Sequence, residues 1–233
     1  MCGRYVMSRA TGDLLSYFHA DEAEGTAPPP SWNVAPTDDM PIIAERESDD
    51  GPERRLLIAR WGLVPSWAND TKIGSRLINA RSETILDKPA FRKAAVKRRA
   101  LVPAEGYYEW EKTPDGKKIP YFLHSDKDDL LAFAGLYEFW PDPSLPPDDP
   151  HRWLLSFTVL TTTARDSMGH VHDRAPVIVP SDLFDAWLDP RTTSKDDVKD
   201  MLEAIPEAVL TPRVVTEKVN SVRNNGPDLI EPA

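Results

Sequence analysis

The sequence predicts an α+β protein made mostly of short strands, on two observations. Apolar segments with period-two or continuous patterning recur along the chain, separated by breaks rich in Gly, Pro and Asp. Helix-type apolar spacing with a capping residue is confined to short stretches near the two ends. The 233 residues, 40% hydrophobic, suit one domain (core about 2–216) with a polar, mobile tail over 217–233. No internal repeat is present.

In order, Arg4–Ser8 reads as an opening strand, and Thr11 is placed to cap a helix carrying Leu14, Leu15 and Phe18 on one face. Pro28–Pro30 mark a loop. Pro41–Arg46 and Arg54–Leu63 read as two strands around an acidic turn. Ile119–His124, Leu130–Trp140 and Trp153–Thr162 read as three more, the last two separated by a Pro/Asp-rich loop. Ser181 and Ser194 are candidate caps for helices over Asp182–Leu188 and Lys195–Ala204, and Thr211–Thr216 completes the strands.

The net charge of −10 and pI near 5.0 argue against a nucleic-acid partner when taken alone. Their distribution reopens the question, because Lys88–Arg99 holds six basic side chains and no acidic one. That run is an anion-binding face or a solvated helix face, with nothing in it to decide between them. One cysteine excludes an intramolecular disulfide and a multi-cysteine metal site and suits a reducing compartment. With no signal-peptide core and no apolar run of membrane-spanning length, the expectation is a cytoplasmic protein without membrane, metal or cofactor.

That cysteine is Cys2. Were Met1 removed, one residue would carry a thiol and a free α-amine, a 1,2-aminothiol able to condense with an aldehyde first as an imine and then as a thiazolidine. On its own, however, a lone cysteine is more often a buried small hydrophobe. Further candidates stand along the chain. Trp67, beyond Pro65 and among polar residues, is a stacking platform for a base, whereas Trp61 belongs to the core. Asn79 and Arg81, two apart in an extended segment, share a face on which an amide and a guanidinium could grip an anionic or carbonyl-bearing ligand; a hydrogen-bonded turn is an equal alternative.

Glu109 lies among Tyr107, Tyr108 and Trp110, where desolvation, unless a nearby cation offsets it, raises a carboxyl pKa and suits it to proton transfer; taken alone, a solvent-facing strand carboxylate is the commoner case. Thr161 ends a strand in hydroxyls. His170 and His172 stand at i and i+2 without further ligands, so a metal site is rejected and His172 is read as a proton-transfer residue or a phosphate contact.

Together, Met1-Cys-Gly-Arg-Tyr5, Trp32-Asn-Val-Ala-Pro36, Trp61-Gly-Leu-Val-Pro-Ser-Trp67, Asn79-Ala-Arg-Ser-Glu-Thr84, Pro103-Ala-Glu-Gly-Tyr-Tyr-Glu-Trp110, Phe133-Ala-Gly-Leu-Tyr-Glu138 and His172-Asp-Arg-Ala-Pro176 resemble the SRAP (SOS response-associated peptidase) family of abasic-site-processing proteins. The resemblance runs from Cys2 to about Leu188. It implies mostly antiparallel sheets forming a barrel-like core with peripheral helices, and a monomer that binds single-stranded DNA containing abasic sites. It further implies that Cys2 forms a thiazolidine crosslink through amine and thiol, with Asn79 positioning the opened sugar, Glu109 moving protons and His172 as a second acid or base. Arg4, Asn33, Trp67, Arg81, Thr161 and Arg174 fall at positions where the family contacts DNA. Ala68 stands where some members have a second tryptophan. Two rival readings remain: an N-terminal-nucleophile peptidase that removes its own Met1, and a non-catalytic reader of single-stranded DNA damage.

Overall fold

A computed structural model describes residues 2–49, 51–127, 129–164 and 171–233. Its strands are β1 (Tyr5–Met7), β2 (Glu22–Glu24), β3 (Ser31–Val34), β4 (Asp39–Ser48), β5 (Gly51–Trp61), β6 (Asn79–Arg81) and β7 (Arg99–Ala104), followed by β8 (Gly106–Lys112), β9 (Lys118–His124), β10 (Leu131–Pro141), β11 (Trp153–Thr163), β12 (Arg174–Pro176) and β13 (Thr211–Val214). The helices are α1 (Thr11–Phe18), α2 (Arg92–Lys97), α3 (Phe184–Leu188) and α4 (Lys195–Ala204).

Five strands close a barrel. β5, β4, β7, β10 and β11 pair antiparallel in that order, and β11 returns to β5 in parallel through Ser156↔Arg60 and Phe157↔Trp61. Closure buries both faces of these strands, which is why Leu131–Pro141 reads as a continuous apolar run: all but two of its residues are buried. Trp61 stacks on Phe157 at an interplanar angle of 10°, while Tyr5 meets Trp61 and Phe133 edge-on at 5.1 and 6.1 Å. Burial of such rings stabilises the barrel by roughly 2–3 kcal/mol each.

A second, antiparallel sheet, ordered β13-β9-β8-β1-β3, lies against the barrel. Side chains alternate across it. Tyr5, Met7, Tyr107 and Leu123 belong to the main core, whereas Val6, Tyr108 and Phe122 form a smaller core on the far side with Val215 and Val219. The architecture is thus the expected α+β one. No helix among the described residues is long and apolar enough to cross a membrane.

Local expectations fared unevenly. Ser194 does cap α4, accepting a hydrogen bond from the Asp197 N–H at 3.4 Å. Thr11 does not cap α1: Ala10 occupies the cap position without a side-chain bond. The helix depends instead on burying Leu14 and Phe18, the latter stacked on Phe184 at 5.3 Å. Ser181 opens a short 3₁₀ turn ahead of α3 rather than capping it.

The basic run is only partly a surface. Arg98 pairs with buried Glu138 at 2.7 Å. Arg99 is 3% exposed and donates to the carbonyls of Ala95, Trp187, Asp189 and Thr192 at 2.6 to 3.2 Å. Carbonyls left open where α3 ends, rather than a carboxylate, therefore satisfy its charge.

The tail also departs from expectation. Residues 217–233 are packed rather than loose, with Val219 and Leu229 buried and Ala233 N–H bonded to the Val214 carbonyl.

Arg99→Ala is expected to lower unfolding free energy by about 3 kcal/mol, because it strands several buried carbonyls at once. Arg99→Lys should recover part of the loss. Urea titration of the three proteins measures both, and a loss below about 1 kcal/mol for alanine would show that water replaces the guanidinium.

Candidate active site

Pairings of β11 and β8 assemble the candidate residues. Along one edge of β11, just past its contact with β5, β6 adds in parallel through Val159↔Asn79 and Thr161↔Arg81. On its other side β12 pairs Thr163↔Arg174. The segment that carried no apolar period is thus held by backbone pairing, with Ala80 in the core and Asn79 and Arg81 on the opposite face.

Cys2 is fully buried, and the Asn79 side-chain N–H donates to its carbonyl at 2.7 Å. The Asn79 Oδ1 is buried without a hydrogen-bond partner among the described residues. Burial pushes the Cys2 thiol well above its ordinary range, and the negative charge of Glu109 pushes it further. The sulfur therefore rests as a neutral thiol.

Glu109 lies on the strand face that also carries Tyr107 and Glu111. It is 6% exposed, and burial above all raises its pKa to about 7, with Asp173 contributing in the same direction. Such a group is poised to give or take a proton at neutral pH. Next in line is His172, whose Nδ1 lies 2.9 Å from Asp173 and also accepts the Arg174 backbone N–H at 3.0 Å. Burial lowers its pKa, so the imidazole is neutral near pH 7. Of the two Nδ1 contacts, the backbone bond suits that state, with the ring proton on Nε2. Cys2 is thus joined to Asn79 by a hydrogen bond and to Glu109 electrostatically, and Glu109 is coupled in turn to Asp173, the partner of His172; His170 lies outside the described residues.

The expected DNA contacts divide. Arg81 is exposed beside Asn79. Trp67 is 58% exposed on a turn closed by the Ala68 N–H on the Pro65 carbonyl and anchored by the Trp140 indole N–H on the Ala68 carbonyl at 2.7 Å.

Arg174 is already engaged. It forms a two-point pair with Glu83 at 2.7 and 2.9 Å and bonds to the Thr161 and Thr163 hydroxyls at 3.3 Å. A phosphate would have to displace Glu83 to reach it. Thr161 is 2% exposed, and its hydroxyl accepts from Arg174. Arg4 and Asn33 belong to the far face of the second sheet, where Arg4 lies over the Trp110 ring at 5.9 Å and Asn33 is 4% exposed. Glu83 is the residue missed from sequence: it stood inside a quoted motif, yet only its contact with Arg174 reveals what it does.

Comparison with known proteins agrees with this architecture. Residues 1–222 match the profile described as SOS response associated peptidase (SRAP). The chain is 39% identical over 233 residues to the abasic site processing protein YoqW of Bacillus subtilis, covering 99% of each. It is 28% identical over 269 residues to the abasic site processing protein HMCES of Gallus gallus, covering 100% of this chain and 78% of that one. Among solved structures, a protein from Bacteroides thetaiotaomicron shares the fold with a TM-score of 0.81 at 24% identity, both chains covered in full. A phage-related protein from Bordetella bronchiseptica reaches 0.68 at 29% identity, covering 93% of this chain and 95% of that one.

The Glu109 carboxyl has a measurable signature. The folded chain holds its proton up to about pH 7, against 4.5 for an ordinary glutamate. The native state therefore binds more protons between those values, and Glu109 ionisation lowers stability as pH rises through that window. Glu109→Gln is expected to match wild type near pH 4.5 and exceed it by roughly 2–3 kcal/mol at pH 8. Urea unfolding at the two pH values checks this; a variant less stable than wild type at pH 8 would mean that the carboxylate is favourably held.

Proposed function

The chain belongs to the SRAP family, its relatives are abasic site processing proteins, and from its site we propose that it captures abasic sites in single-stranded DNA as a covalent thiazolidine on Cys2. The observation that carries the reading is the placement of the single cysteine at residue 2, buried and held by Asn79, within the electrostatic reach of a carboxyl that titrates near neutrality. Met1 must be removed first, because as an amide nitrogen the Cys2 amine is not a nucleophile.

An abasic deoxyribose equilibrates between a closed hemiacetal and an open aldehyde. Opening requires a proton to leave the anomeric hydroxyl and one to reach the ring oxygen, a transfer suited to neutral His172 and half-protonated Glu109. The Cys2 amine then adds to the aldehyde carbon and water leaves, giving an imine. Sulfur adds to the same carbon while the thiol proton passes to the imine nitrogen by way of Glu109, closing the five-membered ring. One water is lost and no oxidant is needed.

A neutral thiol fits this order. Imine formation comes first, and sulfur need be activated only once the electrophile is in place. The unsatisfied Asn79 Oδ1 offers an acceptor to the new amine or the sugar hydroxyl. An unpaired, base-free nucleotide reaches such a buried group without breaking base pairs. Exposed Trp67 gives a neighbouring base a stacking surface, and Arg81 faces the phosphate path.

Protein confirmed to begin at Cys2, mixed with a single-stranded oligonucleotide carrying one abasic site, is expected to give a heat-stable shifted band on a denaturing gel. The band should be absent with intact DNA and with Cys2→Ala, which keeps the amine but lacks the sulfur that closes the ring. Binding without a band would favour the reader, and turnover of a peptide would favour the hydrolase. In the Cys2→Ala background, Trp67→Ala should weaken non-covalent binding by about 1–3 kcal/mol, roughly 5- to 150-fold, measured by fluorescence anisotropy on intact single-stranded DNA. Unchanged affinity would remove Trp67 from the interface.

A further inference from the structure

Behind the sheet that carries the N-terminal strand, the two ends of the chain are tied to one buried amide. Asn33 Oδ1 accepts from Arg4 Nη1 at 2.7 Å. Its Nδ2 faces the carbonyls of Val219, Ser221 and Asn224 at 3.4, 3.0 and 2.9 Å. Arg4 Nη1 also donates to the Val219 carbonyl at 3.0 Å. Around this knot, the Trp110 indole N–H bonds to Asn220 Oδ1 at 2.6 Å and the Trp32 backbone N–H to Asn225 Oδ1 at 2.7 Å.

A residue at a chain terminus ordinarily frays. Capture of an aldehyde by both the amine and the sulfur of Cys2 requires the opposite. Residues 2–4 are held by the Asn79 bond to the Cys2 carbonyl, by the Tyr108 N–H on the Arg4 carbonyl at 2.9 Å, and by this knot. The first two fix backbone carbonyls, and the third grips the Arg4 side chain by hydrogen bonds.

We propose that Asn33 is a positioning residue: by locking residues 219–224 onto Arg4 it makes the C-terminal segment a brace that holds Cys2 in its reactive pose. This rests on the crosslinking reading above. It gives Asn33 and Arg4, expected from sequence as DNA contacts, a role exerted through the protein.

The test uses the full chain with Met1 removed, as wild type, Asn33→Ala and Asn33→Asp. Aspartate keeps an acceptor for Arg4 but loses the N–H groups and sets a carboxylate against three carbonyls, so it frees the tail while leaving Arg4 partnered. Hydrogen exchange without DNA is expected to speed up in both variants over residues 217–230 and, together with them, over residues 3–5. Single-turnover crosslinking to an abasic oligonucleotide should slow by roughly 10- to 100-fold. Condensation of Cys2 with a small aldehyde such as glyoxylate, which approaches in any pose, should be unchanged or faster. Trp110→Phe, which deletes the indole N–H on Asn220 and leaves a smaller ring beside Arg4, should move every readout in the same direction by less, and it serves if the Asn33 variants misfold.

Faster exchange in the tail with residues 3–5 unaffected would overturn the proposal, as would an unchanged crosslinking rate. If wild type itself forms no crosslink, the capture reading fails, and the exchange measurement still decides whether the two ends are coupled.

Discussion

Parallel closure of β5 onto β11 is the constraint from which the position of the site follows. Antiparallel hairpins could have built the rest of the barrel as an open sheet. The two pairs at Ser156↔Arg60 and Phe157↔Trp61 convert it into a closed one and end β5 in the middle of a β11 edge. The rest of that edge is filled by β6, beginning at Asn79↔Val159. Residues 62–78 must therefore leave and re-enter the same edge within one short gap. They do so through a backbone contact between Gly62, at φ +124°, and Gly74, where a side chain on Gly62 would meet the Gly74 carbonyl oxygen at 2.6 Å. Asn79 stands beside Cys2, and Trp67 stands on the excursion, because the barrel is closed in this way.

Electrostatically, the site is assembled in its uncharged forms. Burial keeps the Cys2 thiol protonated, raises Glu109 to about 7 and holds His172 neutral. Of the charged side chains beside it, Arg174 and Glu83 neutralise each other in a two-point pair, which leaves Asp173 next to His172 and exposed Arg81. Few fixed charges therefore need to be desolvated or repaired when a ligand enters, and protons rather than ions are the units the site can move.

How far the sequence could be read depended on what kind of interaction each element uses. Most barrel strands were visible because burial leaves apolar runs, as in Leu131–Pro141, whereas β7 was not read as one because it begins inside the basic run. Glu109 and Trp67 were visible as residues out of keeping with their neighbours, one a carboxylate among aromatics and the other an indole beyond a turn. β6 could not be told from a hydrogen-bonded turn, since backbone pairing leaves no apolar pattern. Arg99 read as one more surface cation, because the carbonyls that satisfy it are 88 to 93 residues away in Trp187, Asp189 and Thr192. The polar tail read as loose for the same reason: its partners, the Asn33 amide and the Trp110 indole, belong to another part of the chain, and composition alone reports only that little of it is apolar.

The contacts that complete the site join residues far apart along the chain. Barrel closure joins residues 60–61 to 156–157, and the Arg4 side chain meets a carbonyl 215 residues away. Such contacts form late, since loop entropy opposes them until shorter-range structure is in place. A partly folded chain, with its hairpins formed but its barrel open, would hold Cys2 as an ordinary flexible terminus next to neither Asn79 nor Glu109. The arrangement around Cys2 is in this sense a late product of folding, absent until the slowest pairings are made and lost as soon as they open.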